Sequence, residues 1–167
     1  LGRLTRSGEE RAVLSLRRAE ALSRAGQPES ALAAVDEALA GGPLPAGLGR
    51  AARQLRYQVL KSAGRLAAEI KDLEAKAAQG DRSSQATRAF LALEVEADPA
   101  LAQKLYAALA GARPEDPEAA EGLARARKAQ ELAEQVRRWR EVLGKDPENQ
   151  RAQERLVAAL AGLGRSA

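Results

Sequence analysis

Apolar residues recur along the chain at steps of three and four. Ala19 and Leu22 share one helical face, and after Gly26-Gln27-Pro28 the same spacing resumes at Ala31, Val35 and Ala38. That period matches the turn of an α-helix rather than the alternation of a strand. It predicts helices near 9–25, 28–40, 46–63, 65–79, 84–96, 99–110, 117–143 and 147–162. The breaks carry start and stop chemistry. Ser7-Gly8-Glu9-Glu10 reads as a capping box, and Asp98-Pro99, Asp116-Pro117 and Asp146-Pro147 each set a capping acid before a proline at the first helical position. Asp81 to Ser84 is a further polar start, while Gly41-Gly42, Gly80, Gly111 and Gly144 read as stops. Connections this short make consecutive helices antiparallel neighbours. The loosest is Gly41–Gly49, a candidate flexible joint.

Two segments are open to more than one reading. Leu48, Ala52, Leu55, Val59, Ala63, Leu66, Ile70, Leu73 and Ala77 form a heptad-like seam if the chain runs helical through Gly64, and two ordinary helices if it turns there. Residues 117–143 lack turn residues near Lys128–Glu131 and fit one long helix as well as a hairpin.

The helix–turn–helix pattern repeats. Ala19, Leu22, Gly26, Ala31, Val35, Ala38 and Pro43 are matched by Phe90, Leu93, Ala97, Ala102, Tyr106, Leu109 and Pro114. A third register aligns Leu123, Ala126, Trp139, Val142 and Pro147, and a last half-unit supplies Val157, Leu160 and Gly164. Residues 46–82, with Leu55, Val59, Ala63, Ala68, Ala75 and Gly80, fit less closely. The chain thus resembles the tetratricopeptide repeat family, whose helix pairs recur about every 34 residues with small residues at the helix crossing and a closing proline. The units are 12–45, 46–82, 83–116 and 117–149, with a terminal helix at 150–164, in one domain spanning 1–167. Ser15 and Arg18 depart from the family's aromatic and leucine, and Asp72 occupies a large apolar position. The resemblance implies an all-α fold, a right-handed α-solenoid of stacked antiparallel helix pairs, with the first helix of each unit lining a concave groove.

Composition sharpens this picture. Hydrophobic residues make up 45 % of the chain, yet there are only one Trp, two Tyr and one Phe, against 39 Ala and 24 Leu. Any core is therefore alanine and leucine packed between closely approaching helices, and scarce β-branched residues argue against a sheet. The absence of Cys, His and Met excludes disulfides and the usual zinc, copper and haem sites. No metal or other cofactor is expected. The first residue, Leu1, suggests a piece of a longer, bacterial protein. No apolar run approaches the ~20 residues of a membrane span. Zero Cys fits cytoplasm and periplasm alike, with a lean to a soluble cytoplasmic location.

Enzyme chemistry is poorly supplied. Asp36 and Glu37 fall on different sides of a helix, and Glu94 and Glu96 do not face each other. No Gly-Lys-Ser or Gly-Lys-Thr phosphate loop occurs, and Gly162-Leu163-Gly164 is too short for a dinucleotide fingerprint. A non-catalytic role follows.

Binding is better supplied. Carried onto this sequence, the family's groove positions give Leu16, Arg17, Glu20 and Arg24 in the first unit and Arg50, Arg53, Tyr57 and Lys61 in the second. The third gives Thr87, Arg88 and Leu91, and the fourth Ala124, Arg127 and Lys128. Their basic balance implies an acidic protein or peptide partner. The lone Asn, Asn149, lies outside the position used by members that clamp a C-terminal carboxylate, so that clamp is not expected. Lone Trp139, flanked by Arg137, Arg138 and Arg140, reads as a core residue, with a stacking platform as the alternative. The net charge of +4 and pI of 9.8 also fit a nucleic-acid-binding helical repeat, although 23 acidic residues are interspersed with the basic ones. Self-association through 48–79 or an uncapped end is the third reading.

Overall fold

The structure, a computed structural model, describes the backbone of residues 2–164 and the side chains of 8–45 and 47–164. Eight α-helices form among the described residues. They fall into two compact units, Leu1–Gln79 and Gly80–Ala167.

Unit 1 contains α1 (Gly2–Arg24), α2 (Pro28–Ala40), α3 (Ala46–Ser62) and α4 (Leu66–Ala78). Helix α2 packs against both α1 and α3, while α3 touches α1 and α4 only lightly. The first core joins α1, α2 and α3 through Ala12, Leu16, Ala19, Ala34, Val35, Ala38 and Ala52. Alanine dominates because these helix backbones come close, and larger side chains such as Leu22, Leu39 and Leu55 seal the flanks. The α1–α2 turn closes at Gly26, whose φ of +72° lies in the left-handed region. Gln27 N–H donates to the Leu22 carbonyl at 3.0 Å and Gly26 N–H to Ser23 at 3.1 Å, the paired bonds of a Schellman end. The same device closes α3, with Gly64 at φ +70° and Arg65 N–H donating to Leu60 at 2.9 Å. The seam through 48–79 is therefore broken, and α3 and α4 are two ordinary helices.

Unit 2 contains α5 (Arg82–Glu94), α6 (Pro99–Ala112), α7 (Pro117–Lys145) and α8 (Gln150–Gly162). Here each helix packs on the next, and α5 touches α7. One core joins α5, α6 and the first half of α7 through Ala89, Ala92, Ala102, Tyr106, Leu109, Ala119 and Ala126. A second joins the later half of α7 to α8 through Val136, Ala159 and Leu160. Helix α7 is a single run of 29 residues, so residues 117–149 do not fold back as a hairpin. No proline or positive-φ residue interrupts it, and i,i+4 pairs such as Glu121–Arg125 and Gln130–Glu134 support it.

Several predicted boundaries shift. Helix α1 runs back to Gly2, so Ser7–Glu10 lies inside it and is no start; the Ser7 side chain lies outside the described residues. The Gly41–Gly49 joint shrinks to residues 41–45, because α3 begins at Ala46. Gly111 and Gly144 lie within α6 and α7 and stop neither. Asp146 ends α7 instead of starting α8, and Asn149 caps α8 by accepting from the Ala152 amide at 3.0 Å. The other acid caps form as read: Asp98 accepts from Leu101 N–H at 3.0 Å, and Asp116 from Glu118 and Ala119 N–H at 3.0 and 3.1 Å.

Candidate interaction surface

Arg50, Arg53, Tyr57 and Lys61 stand at steps of three, four and four along α3. A helix with 3.6 residues per turn sets them on one stripe, opposite the buried Ala52 and Val59. Arg53 and Lys61 are exposed, Arg50 is half-buried, and the Tyr57 ring forms the floor at 6 % exposure. Burial raises the Tyr57 pKa, and the neighbouring Arg56 charge opposes that rise. The phenol therefore stays neutral across the physiological range. The stripe is a tyrosine floor bordered by cationic arms.

Arg56 fixes this floor. Its Nε donates to Asp36 of α2 at 3.2 Å, its Nη1 to Glu69 of α4 at 3.3 Å, and its guanidinium carbon lies 5.3 Å from the Tyr57 ring centroid. One side chain so ties α2, α3 and α4 together. Burial acts to lower the Arg56 pKa, and the Glu69 hydrogen bond with the nearby carboxylates more than offsets it, so the value is raised. The sequence reading missed Arg56, because its partners come from helices on either side and no spacing announces them.

The remaining predicted site residues divide. Arg17, Glu20 and Arg24 are exposed on α1, where Glu20 and Arg24 form a solvent-exposed pair at 3.7 Å. Such a pair stabilises by only about 0.3–0.5 kcal/mol. Leu16, expected in the groove, is instead buried in the first core, which uses the same face as Ala12 and Ala19. Arg88 corrects the reading more sharply. It is only 9 % exposed, and its Nη1 donates to Glu96 Oε2 at 2.5 Å across the α5–α6 turn, so it is a structural cation rather than a groove arm. Leu91 is fully buried, while Thr87 is half-buried. On α7, Ala124, Arg127 and Lys128 are exposed. Between them Arg125 turns inward and pairs with Glu94 of α5, leaving its Nε buried without a hydrogen-bond partner. Trp139 is half-buried, with the Arg138 guanidinium carbon 5.5 Å from its ring centroid.

Of the acids close in sequence, Asp36 beside Glu37 and the pair Glu94 and Glu96, the structure commits Asp36, Glu94 and Glu96 each to an arginine. No cluster of three or more acidic, His or Cys side chains able to hold a metal occurs among the described residues. No helix among them is long and apolar enough to cross a membrane. No protein-family model matches the chain, and neither a curated protein nor a solved structure is significantly similar to it.

Proposed function

We propose that the chain is a non-catalytic protein-interaction module of tetratricopeptide type, built as a right-handed α-solenoid, and that unit 1 grips an acidic partner segment along α3. The observation that carries this reading is the α3 stripe: Arg53 and Lys61 rise on either side of the buried Tyr57, with Arg50 beyond. The contact between α1 and α3 supports it, because first helices of successive pairs lie side by side in such an array. Guanidinium and ammonium groups bordering an apolar floor suit a segment that alternates carboxylates with apolar residues.

Nucleic acid is the less favoured partner. Arg56, Arg82, Arg88 and Arg125 are each paired with carboxylates of their own unit, which withdraws them from phosphate binding. The test is a pull-down comparing the intact chain with the double variant Arg53→Glu, Lys61→Glu, followed by anisotropy with a labelled Glu/Leu-rich peptide and with a DNA duplex. Binding of the peptide at least about tenfold weaker in the variant is the expected result, since two charge reversals each remove about 1 kcal/mol or more. Unchanged capture, or tighter binding of the duplex than of the peptide, ends the proposal.

A further inference from the structure

The two large hydrophobic side chains most exposed among the described residues are Leu14, at 63 %, and Val157, at 54 %. They lie on the first and last helices. Leu14 lines a shallow depression of about 500 Å³ along α1 with Glu9, Glu10, Val13 and Arg17. At the other end of the chain, a depression of about 470 Å³ lies between α7 and α8, lined by Ala133, Val136, Arg137, Arg140, Glu141 and Leu163.

The two depressions are nearly equal in size and opposite in charge. Each has an apolar floor, Val13 and Leu14 in one and Val136 and Leu163 in the other. The first carries two acids and one base, the second two bases and one acid. Among the described residues, no ion pair within the chain engages Glu9, Glu10, Arg137 or Arg140.

We propose that the protein associates with a second copy of itself head to tail, the α1 depression of one copy seating against the α7–α8 depression of the next. Glu9 and Glu10 would meet Arg137 and Arg140, and Arg17 would meet Glu141, around a closed apolar centre. A symmetric dimer through either face alone leaves two like charges unmatched, whereas the head-to-tail contact matches all six, so the charge pattern selects the heterologous arrangement. Such a heterologous contact builds a ring or an open chain of copies and grows with concentration. Two shallow depressions bury little surface, so the affinity is weak and, being partly ionic, falls with added salt.

This inference does not involve Arg53 or Lys61, so it stands or falls apart from the peptide-binding reading. The test is light scattering and sedimentation velocity of the chain from micromolar to millimolar concentration. Wild type should grow in mean mass with concentration. Glu9→Arg with Glu10→Arg, and separately Arg137→Glu with Arg140→Glu, should each weaken association at least tenfold, because each makes both ends alike. An equimolar mixture of the two variants should recover assembly, since every end then finds an opposite partner. Leu14→Ser, an exposed site whose change leaves the core intact, should also weaken it, and circular dichroism checks that each variant keeps its helix content. A wild type that stays monomeric throughout, variants that assemble like wild type, or a mixture that stays monomeric overturns the proposal.

Discussion

In unit 1 the first hairpin turns through Gly26, at φ +72°; in unit 2 the corresponding turn is made by Ala97, at φ +56°. The contrast runs through both units. Helices α2, α3 and α4 start behind Gln27, Pro45 and Arg65 with no side-chain cap, whereas α5, α6, α7 and α8 start behind Asp81, Asp98, Asp116 and Asn149, each accepting a backbone amide. Unit 1 packs its first core from alanine, leucine and one valine; the α5–α7 core of unit 2 contains Tyr106. Unit 2 also holds three interhelix or cross-turn arginine pairs, Arg82–Asp116, Arg88–Glu96 and Arg125–Glu94. The helices of the two units are thus joined in two ways. Unit 1 relies on permissive glycine turns, close alanine contact and the single bridging arginine, Arg56. Unit 2 tolerates a strained turn and an aromatic wedge, and fastens its helix ends with charge.

The largest expected effect is at the aromatic wedge. A Cβ on Gly122 would fall 2.2 Å from Cε1 and 2.5 Å from Cδ1 of Tyr106, a residue only 3 % exposed. Overpacking of this kind costs about 1–3 kcal/mol, against a gain near 1 kcal/mol from replacing a mid-helix glycine by alanine. Gly122→Ala should lower stability by up to about 2 kcal/mol in urea denaturation. Gly49→Ala in α3 should raise it by up to about 1 kcal/mol, because its nearest neighbour, Leu44 Cβ, would lie at an ordinary 3.8 Å. In a Tyr106→Leu background the Gly122→Ala penalty should vanish; a penalty that persists would mean the ring is not what the glycine accommodates.

That pair of glycines also marks how far the chain could be read. Local chemistry was legible where it is local: the Gly26 turn and the Asp98 and Asp116 caps each rest on residues within one helix turn, whereas Gly64 left a continuous seam and a break both open. The same signals misled where a neighbouring helix decided the outcome. Asp146-Pro147 carries the motif of Asp116-Pro117, yet α7 continues to Lys145 and leaves capping of α8 to Asn149. Gly111 and Gly144 resemble stops, but helix continues through both. Arg88 was placed in the groove by carrying over a repeat position, which names a face and not what covers it. Its partner Glu96 lies beyond the helix end and meets it only after the turn forms. Leu14 was readable in principle, since it lies two residues from buried Leu16 and so on the opposite face of α1.

The turns come next in size. A non-glycine residue in the left-handed region is strained by about 1–2 kcal/mol, while a glycine loosens the unfolded chain by about 0.4–1 kcal/mol. Ala97→Gly should therefore stabilise unit 2 by about 0.5–1 kcal/mol, and Gly26→Ala should destabilise unit 1 by a similar amount. Thermal denaturation of the two variants should shift in opposite directions. Equal shifts of one sign would show that the turns are not equivalent and that the repeat register between the units is wrong.

The smallest effect separates the units by pH. Arg82 Nη2 donates to Asp116 Oδ2 at 2.5 Å and to the Leu109 carbonyl at 3.3 Å, so one guanidinium joins the start of α5 to the end of α6 and the cap of α7. The Arg82 hydrogen bond, aided by the Ala119 amide, holds the Asp116 carboxyl below the usual carboxylate range. A depressed folded-state pKa contributes stability that is present above the unfolded value, near 3.9, and is lost as pH falls through the folded one. Unit 2 should thus weaken on acidification below about pH 4 through a group with no counterpart at the uncapped starts of α2, α3 and α4. Asp116→Asn keeps a cap acceptor but removes the charge. Its stability deficit should be constant near neutral pH and disappear in acid, where wild type carries no charge there either. Helix-resolved hydrogen exchange reads the difference: at low pH, protection in α5 and the first turns of α7 should fall before protection in α2 and α3, and a simultaneous loss would mean that the caps do not distinguish the two units.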